Sequence, residues 1–293
     1  MKSFIKKAIG KFGRVVFENA FSELAEQMSS TQEVQISLLQ QYKNILAQNI
    51  KPLPTFDEVG FRCHSQFEED GILLYLFAMI GTTNKVAVEV CAGDGIVCNT
   101  ANLIINHGWN GFLFDGGVDN VKKGRAYFAS HKNTLLWPPL FTHAWITAEN
   151  INEIIQNVGV SGEIDLLSLD LDGMDYWVWK AIDCIRPRVV VCETHNIIGP
   201  DEALTVPYDP NFVVKTPDYH SASLAAMSKL ASEKGYRLVG THRYGFNAFF
   251  MKKGIAEDLF PAVIPAACLQ HPYSKHARKV RWPSVKDLEW QEV

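Results

Sequence analysis

Between Lys85 and Glu193, short apolar runs take turns with helix-patterned segments, and this rhythm constrains the fold more than any other feature of the chain. VAVEV (86–90), GFLFD (111–115), THAWI (142–146), IDLLSLD (164–170) and RVVVCE (188–193) read as strands. The stretches NTANLIINHGW, VKKGRAYFASH, ENINEIIQNVG and YWVWKAID, which lie between them, read as helices. Strands that are apolar on both sides and joined through helices predict a parallel sheet covered on both faces. Further on, SLAAMSKLASEKG predicts a helix. YRLVG and FNAFFMKK, joined by THRYG, predict an antiparallel hairpin at the sheet edge.

The segments around this core differ in character. Residues 1–60 read as a helical extension, with one helix near Glu33–Asn49 striped by Ile36, Leu39, Ile45 and Leu46. The first residues carry Lys2, Lys6, Lys7, Lys11 and Arg14 before the first acid, with Phe4, Ala8, Ile9, Phe12 and Val16 at helical spacing. Such a helix could lie peripherally on an anionic membrane, pack on its own domain or mediate a dimer. Gly and Lys interrupt any apolar core, so it does not read as a signal peptide. Ser65 is the expected cap of a helix over SQFEEDGILLYLFAMIG, with Glu68 three residues on. Residues 61–253 form the expected main domain, and 254–293 a surface-wrapping extension.

No run is long enough to span a bilayer. The net charge of -4 does not suggest a nucleic-acid binder. No pair of the six cysteines has CxxC spacing, so neither a zinc knuckle nor a disulfide scaffold is indicated, and a reducing, cytoplasmic compartment is the easier fit. Cys91, Cys184 and Cys192 sit in apolar runs and read as small buried hydrophobes.

The first strand runs into Glu89, Cys91, Gly93, Asp94 and Gly95. Glycines between a strand and a helix allow backbone amides to approach a cofactor. The full GxGxxG spacing is absent, because Cys98 stands at the third position after Gly95. Asp115 ends the next strand, 20 residues after Gly95, where an acid can accept from ribose hydroxyls. Glu89, Asp94 and Asp115 would repel a diphosphate but suit a cofactor with a ribose and a positive centre, as in S-adenosylmethionine.

Taken together, SQFEEDGIL, VEVCAGDGIVCNTANLI, GWNGFLFDG, TAENIN, IDLLSLDLDGMDYWVWKAI, RPRVVVCETHN, GPDEALTVPYDP, SASLAAMSKLASEKGYRLVG and GFNAFF resemble, in order and spacing, the class I S-adenosylmethionine-dependent methyltransferases, specifically the FkbM-like group. The resemblance covers roughly residues 62–253. It implies an α/β fold, a Rossmann-like seven-stranded sheet with the last strand antiparallel, here preceded by N-terminal helices. It also implies that Glu89, Gly93, Asp94 and Gly95 surround the methionine part of the cofactor and that Asp115 holds the ribose. Ala148, Glu149 and Asn150 are expected near adenine, and Asn99 and Asp170 complete the expected cofactor set. Cys91 stands where the family often has glycine.

The implied activity is O-methylation of a hydroxyl on a sugar, glycan or glycolipid. Two alternatives stay open: N-methylation of a small molecule or protein, and a non-catalytic binding domain that keeps the fold. A hydroxyl is a poor nucleophile and needs a base or a metal to weaken its hold on its proton. SLDLDG presents Asp170 and Asp172, and CETHN presents Glu193, His195 and Asn196 at the carboxyl ends of neighbouring strands. In one reading His195 is the general base, oriented by a carboxylate. In a second, Asp172, Glu193 and Asn196 hold Mg2+ or another divalent cation. In a third, these groups only cap backbone turns. The long segment after the fifth strand contributes Tyr208, Asp209 and His220, which with His195 and Asn196 are expected to line the carbohydrate-like acceptor.

Overall fold

The computed structural model describes residues 31–293. The basic N-terminal segment read as a candidate membrane or dimer helix lies outside the described residues. The chain divides into two units, residues 1–51 and 52–293. In the first, residues 31–47 form helix α1. Its buried positions are Gln35 and Tyr42, while Ile36 and Leu46 are exposed, so the covered stripe is rotated from the expected one.

The second unit begins with α2 (Phe56–Val59) and α3 (Glu69–Ile80). Then follow β1 (Val86–Val90), α4 (Ala101–His107), β2 (Asn110–Asp115), α5 (Val118–Ser130), β3 (Leu140–His143), α6 (Ile151–Asn157), β4 (Gly162–Leu169), α7 (Asp175–Ala181) and β5 (Ile185–Glu193). A two-residue strand, β6 (Leu204–Thr205), leads to α8 (Leu224–Glu233), β7 (Tyr236–Thr241) and β8 (Asn247–Lys252). The chain ends with α9 (Pro265–Cys268), α10 (Pro272–Arg281) and β9 (Gln291–Glu292). No described helix is long and apolar enough to cross a membrane.

The main sheet has the order β3-β2-β1-β4-β5-β8-β7. β1 to β5 pair in parallel and β8 runs antiparallel between β5 and β7, which is the expected Rossmann-like seven-stranded sheet with its last strand antiparallel. Its central strands are apolar on both faces: Leu166, Leu167, Val189, Val190 and Val191 are all inaccessible to solvent. Trp179 of α7 lies in the core against Tyr236 and Phe250. Burying a side chain of this size is worth roughly 3 kcal/mol. At the opposite end from the loops described below, buried Asp165 accepts from the amides of Thr83, Asn84 and Lys85 and pairs with Arg188 at 2.7 Å. Arg188 also donates to the carbonyls of Ile80 and Gly81, capping the carboxyl end of α3.

Two local expectations shift. Ser65 is not the residue that immediately precedes α3, which starts at Glu69, but its Oγ accepts from the first-turn amide of Asp70. The Asp70 carboxylate takes the amides of Cys63, His64 and Ser65, folding this stretch into a loop. β3 is Leu140–His143 rather than 142–146. The Ala144 amide makes the last ladder bond, to the Asp115 carbonyl, after which Trp145 donates its indole N–H to Pro210 O.

Candidate active site

In this topology, the carboxyl ends of β1, β2, β4 and β5 open onto one crevice. β8 enters from the same edge because it is antiparallel, and Asn247, its first residue, pairs directly with Glu193. A cavity of about 840 Å³ lies there.

At one end is the loop after β1. Cys91, Gly93 and Gly95 all have positive φ (62°, 58° and 71°), which makes the turn tight. The two glycines are needed for different reasons. A Cβ at Gly93 would meet nothing within 4 Å, so the backbone angle calls for glycine there. A Cβ at Gly95 would come within 2.8 Å of the Phe128 ring, so close packing adds to the demand. Asp115 buttresses the loop: its carboxylate accepts from the amide of Gly93 at 2.9 Å, the amide of Gly117 at 2.8 Å and the Asn120 side chain at 3.0 Å.

Of the residues expected at a cofactor, Gly93, Asp115 and Asp170 line the cavity. Glu89 does not. It lies beneath the loop, 2% exposed, and accepts from the amides of Asn99 and Thr100 and from the Thr100 hydroxyl. Burial raises its pKa, and these donors oppose the rise. Asn99 is buried with its side chain on Ser168 Oγ, and Asp94 is turned to the amide of Ile96. These residues shape the loop from behind. Cys91, read as a buried hydrophobe, is half-buried and faces the cavity.

The other end is acidic. Asp170, Asp172 and Glu193 offer carboxylate oxygens within 4.8 Å of one another. Burial, then the charges of Asp175 and Asp172, push Asp170 well above the usual carboxylate range. Burial, then Asp170 and Asp175, do the same to Glu193. Asp175 beneath them, which takes the amides of Leu171 and Gly173, is raised to about 6 by burial. Asn196 is not beside this cluster: its side-chain amide donates to Tyr244 O, and it is not among the cavity-lining residues. Asn247, opposite Glu193, has a buried Oδ1 without a partner.

His195 lines the cavity at 2% exposure. Its Nε2 lies 2.8 Å from the carbonyl of Asp218. Burial, then neighbouring His220, lower its pKa to about 3, so the ring is neutral. Ser221 donates to Glu193 Oε2 at 2.6 Å, so the 2.9 Å contact between His220 Nδ1 and Ser221 Oγ has the imidazole donating. Asp172, Asp218 and Ser221 all have positive φ (51°, 67° and 57°), so backbone strain gathers around this end.

The segment after β5 folds back over the sheet. Tyr208 donates to Glu149 at 2.5 Å and accepts from the amide of Ala148. Ala148, Glu149 and Tyr208 therefore make a seam, and neither they nor Asp209 line the cavity. The ring of Phe212 lies over Gly173, where a Cβ would come within 2.3 Å of it. Trp177 donates to Val206 O. Residues 254–293, expected only to wrap the surface, brace this segment. β9 pairs with β6, Tyr219 donates to Glu289 O, and Arg281 reaches the cavity.

Several lining residues were not singled out from the sequence: Gln66, Phe67, Trp145, Phe212, Asn247 and Arg281. Gln66 and Phe67 stand within SQFEEDGIL and Asn247 within GFNAFF, so motif membership could have flagged them. Arg281 carries no such signal.

No protein-family model and no curated protein matches the chain. Among solved structures it is similar to an O-methyltransferase from Bacillus cereus in complex with SAH, at 12% identity and TM-score 0.41, covering 73% of this chain and 89% of that one. It is also similar to the CcbJ methyltransferase from Streptomyces caelestis, at 14% identity and TM-score 0.40, covering 72% and 97%. A third is the glycopeptide N-methyltransferase MtfA with S-adenosyl-L-homocysteine, at 9% identity and TM-score 0.40, covering 66% and 92%. At these identities and scores no activity is carried over from them.

Proposed function

We propose that the protein is an S-adenosylmethionine-dependent O-methyltransferase acting on the hydroxyl of a sugar, free or within a glycan or glycolipid. The observation that carries this reading is one cavity that joins an Asp115-buttressed glycine loop to an unprotonated imidazole, that of His195. Its volume of about 840 Å³ suits a cofactor together with a small acceptor. When bound, S-adenosylmethionine supplies a methyl group on an electrophilic sulfonium. The carboxylates of Asp115, Asp170, Asp172 and Glu193 around the cavity favour a cationic ligand over a diphosphate. Asp115 would hold the ribose, having one acceptor site left after its three donors.

His195 would take the acceptor proton. A base whose pKa is about 3 is weak, but it is unprotonated at neutral pH. The hydroxyl it serves becomes strongly acidic as its oxygen bonds to the methyl group, so a weak base suffices. A base beside the acceptor suits oxygen better than an amine, which reacts through its own lone pair.

A second reading is favoured by the carboxylate cluster. Asp170, Asp172 and Glu193 would hold a hard divalent cation that lowers the proton affinity of the acceptor hydroxyl. The FkbM-like motifs support a carbohydrate acceptor.

The test is calorimetric titration with S-adenosylmethionine, with and without magnesium, followed by a screen of sugar acceptors for release of S-adenosylhomocysteine. One-site binding and turnover on a sugar hydroxyl support the reading. Absence of binding by folded protein overturns it. Turnover abolished by a chelator and restored by magnesium selects the metal variant.

A further inference from the structure

We propose that Arg281 is a positioning residue: by gripping Asp218 it locks the His195 imidazole in the tautomer that leaves Nδ1 bare. The functional consequence rests on His195 being the proton acceptor; the geometry does not. A carbonyl oxygen can only accept, so the 2.8 Å contact of His195 Nε2 with Asp218 O puts the ring hydrogen on Nε2. A neutral imidazole has one such hydrogen. Nδ1 therefore keeps its lone pair, and it makes no hydrogen bond among the described residues.

The carbonyl that sets this tautomer belongs to a residue with left-handed backbone, Asp218 at φ 67°. Such a conformation persists where its surroundings impose it. Here the imposing group is Arg281, the last residue of α10. Its Nε donates to Asp218 Oδ1 at 2.9 Å and its Nη2 donates to the same oxygen. The guanidinium is itself held, with Tyr273 Oη 3.5 Å from Nη1, and Ser284 donates to the Arg281 carbonyl at 2.6 Å. On the other side, the His195 amide donates to Ala222 O at 2.8 Å, so the backbone of His195 is fixed independently of the clamp. The ring orientation thus depends on a residue far along the chain.

Arg281 also lines the cavity, so a direct contact with the acceptor is the competing role. The two are separable. A positioning role lowers kcat and leaves the acceptor KM nearly unchanged, whereas a direct contact raises KM.

The test uses the full chain labelled with 15N-histidine, at one neutral pH and without ligand. The His195 signals are assigned by difference from His195→Gln. The wild type is expected to show Nε2–H with a bare Nδ1. Arg281→Gln is expected to give a mixture of tautomers, and Arg281→Lys to restore the single one in part. Asp218→Gly tolerates the backbone angle and removes the grip, so it should reproduce Arg281→Gln and guards against misfolding of that variant. Nδ1–H in the wild type, or an unchanged single tautomer in both folded variants, overturns the proposal. With an acceptor in hand, kcat of Arg281→Gln should fall roughly 10- to 100-fold at unchanged S-adenosylmethionine affinity. Loss of the tautomer lock without any methyl transfer by the wild type would sink the functional reading and leave the clamp standing.

Discussion

The two ends of the cavity are built in opposite ways. The glycine-loop end is local: Asp115 reaches back 22 residues to Gly93 and forward two to Gly117, and everything hangs on adjacent strand ends. The acidic end is assembled from afar, with Asp218 on Arg281 across 63 positions and, behind it, Tyr219 on Glu289 across 70. The first end gets its shape from backbone geometry, which the sheet enforces. The second gets its shape from individual side chains, each of which can be removed singly. On the proposed function, a change at the glycine-loop end should act on cofactor affinity, and one at the acidic end on turnover.

That contrast can be broken most decisively at His195. His195→Gln is expected to lower kcat roughly 100- to 10,000-fold with cofactor affinity intact, measured by steady-state kinetics and calorimetry. Full activity would remove it as proton acceptor. Asp115→Ala is expected to weaken S-adenosylmethionine binding roughly 10- to 100-fold, because it removes the ribose acceptor and frees the Gly93 amide. Unchanged affinity would mean that the buttress holds no ribose.

The acidic cluster sharpens the comparison through pH. Asp170 and Asp175 have raised pKa values in the folded state, so the native protein binds their protons more tightly than the unfolded chain. Their contribution favours the fold at low pH and is lost as pH rises from the ordinary 3.8 through about 6 for Asp175. Asp170→Asn should then stabilise the protein near neutrality by about 1 kcal/mol, seen as a Tm higher by a few degrees that fades in acid. A lower Tm would show that the Asp170 carboxylate is supported in the fold by something stronger than this repulsion. The smallest effect is expected at Tyr208→Phe. Losing one hydroxyl at the seam costs about 1 kcal/mol or less and should speed hydrogen exchange over residues 206–222 while leaving the sheet protected. Equal change in both regions would contradict the independence of the two ends.

The fold was legible because its signals are periodic. VAVEV, IDLLSLD and RVVVCE announce buried strands, and the helices between them force parallel pairing. Legibility failed where a strand end depends on contacts. The expected strand over 142–146 ends at His143, after which Trp145 donates its indole N–H to Pro210 O. At the site, Gly93, Asp115, Asp170, Asp172, Glu193, His195 and His220 were picked out and do line one cavity. Glu89 and Asn99 were picked out too, but their side chains are spent on the entry to α4 and on Ser168. A sequence places an acid at a strand end without saying which neighbour will claim its oxygens.

By itself, then, the sequence determined the layered α/β core, the crevice at the carboxyl ends of its strands and most of the chemistry available there. These follow from local hydrophobic period and strand-end position, which neighbouring residues encode. Only the tertiary structure decided that Asn247 sits opposite Glu193, that Asn196 turns away to Tyr244, and that Arg281 reaches Asp218 beside His195. Those are single side-chain contacts between distant parts of the chain. They have no period, and they exist only once the sheet has set the distances that the side chains must span.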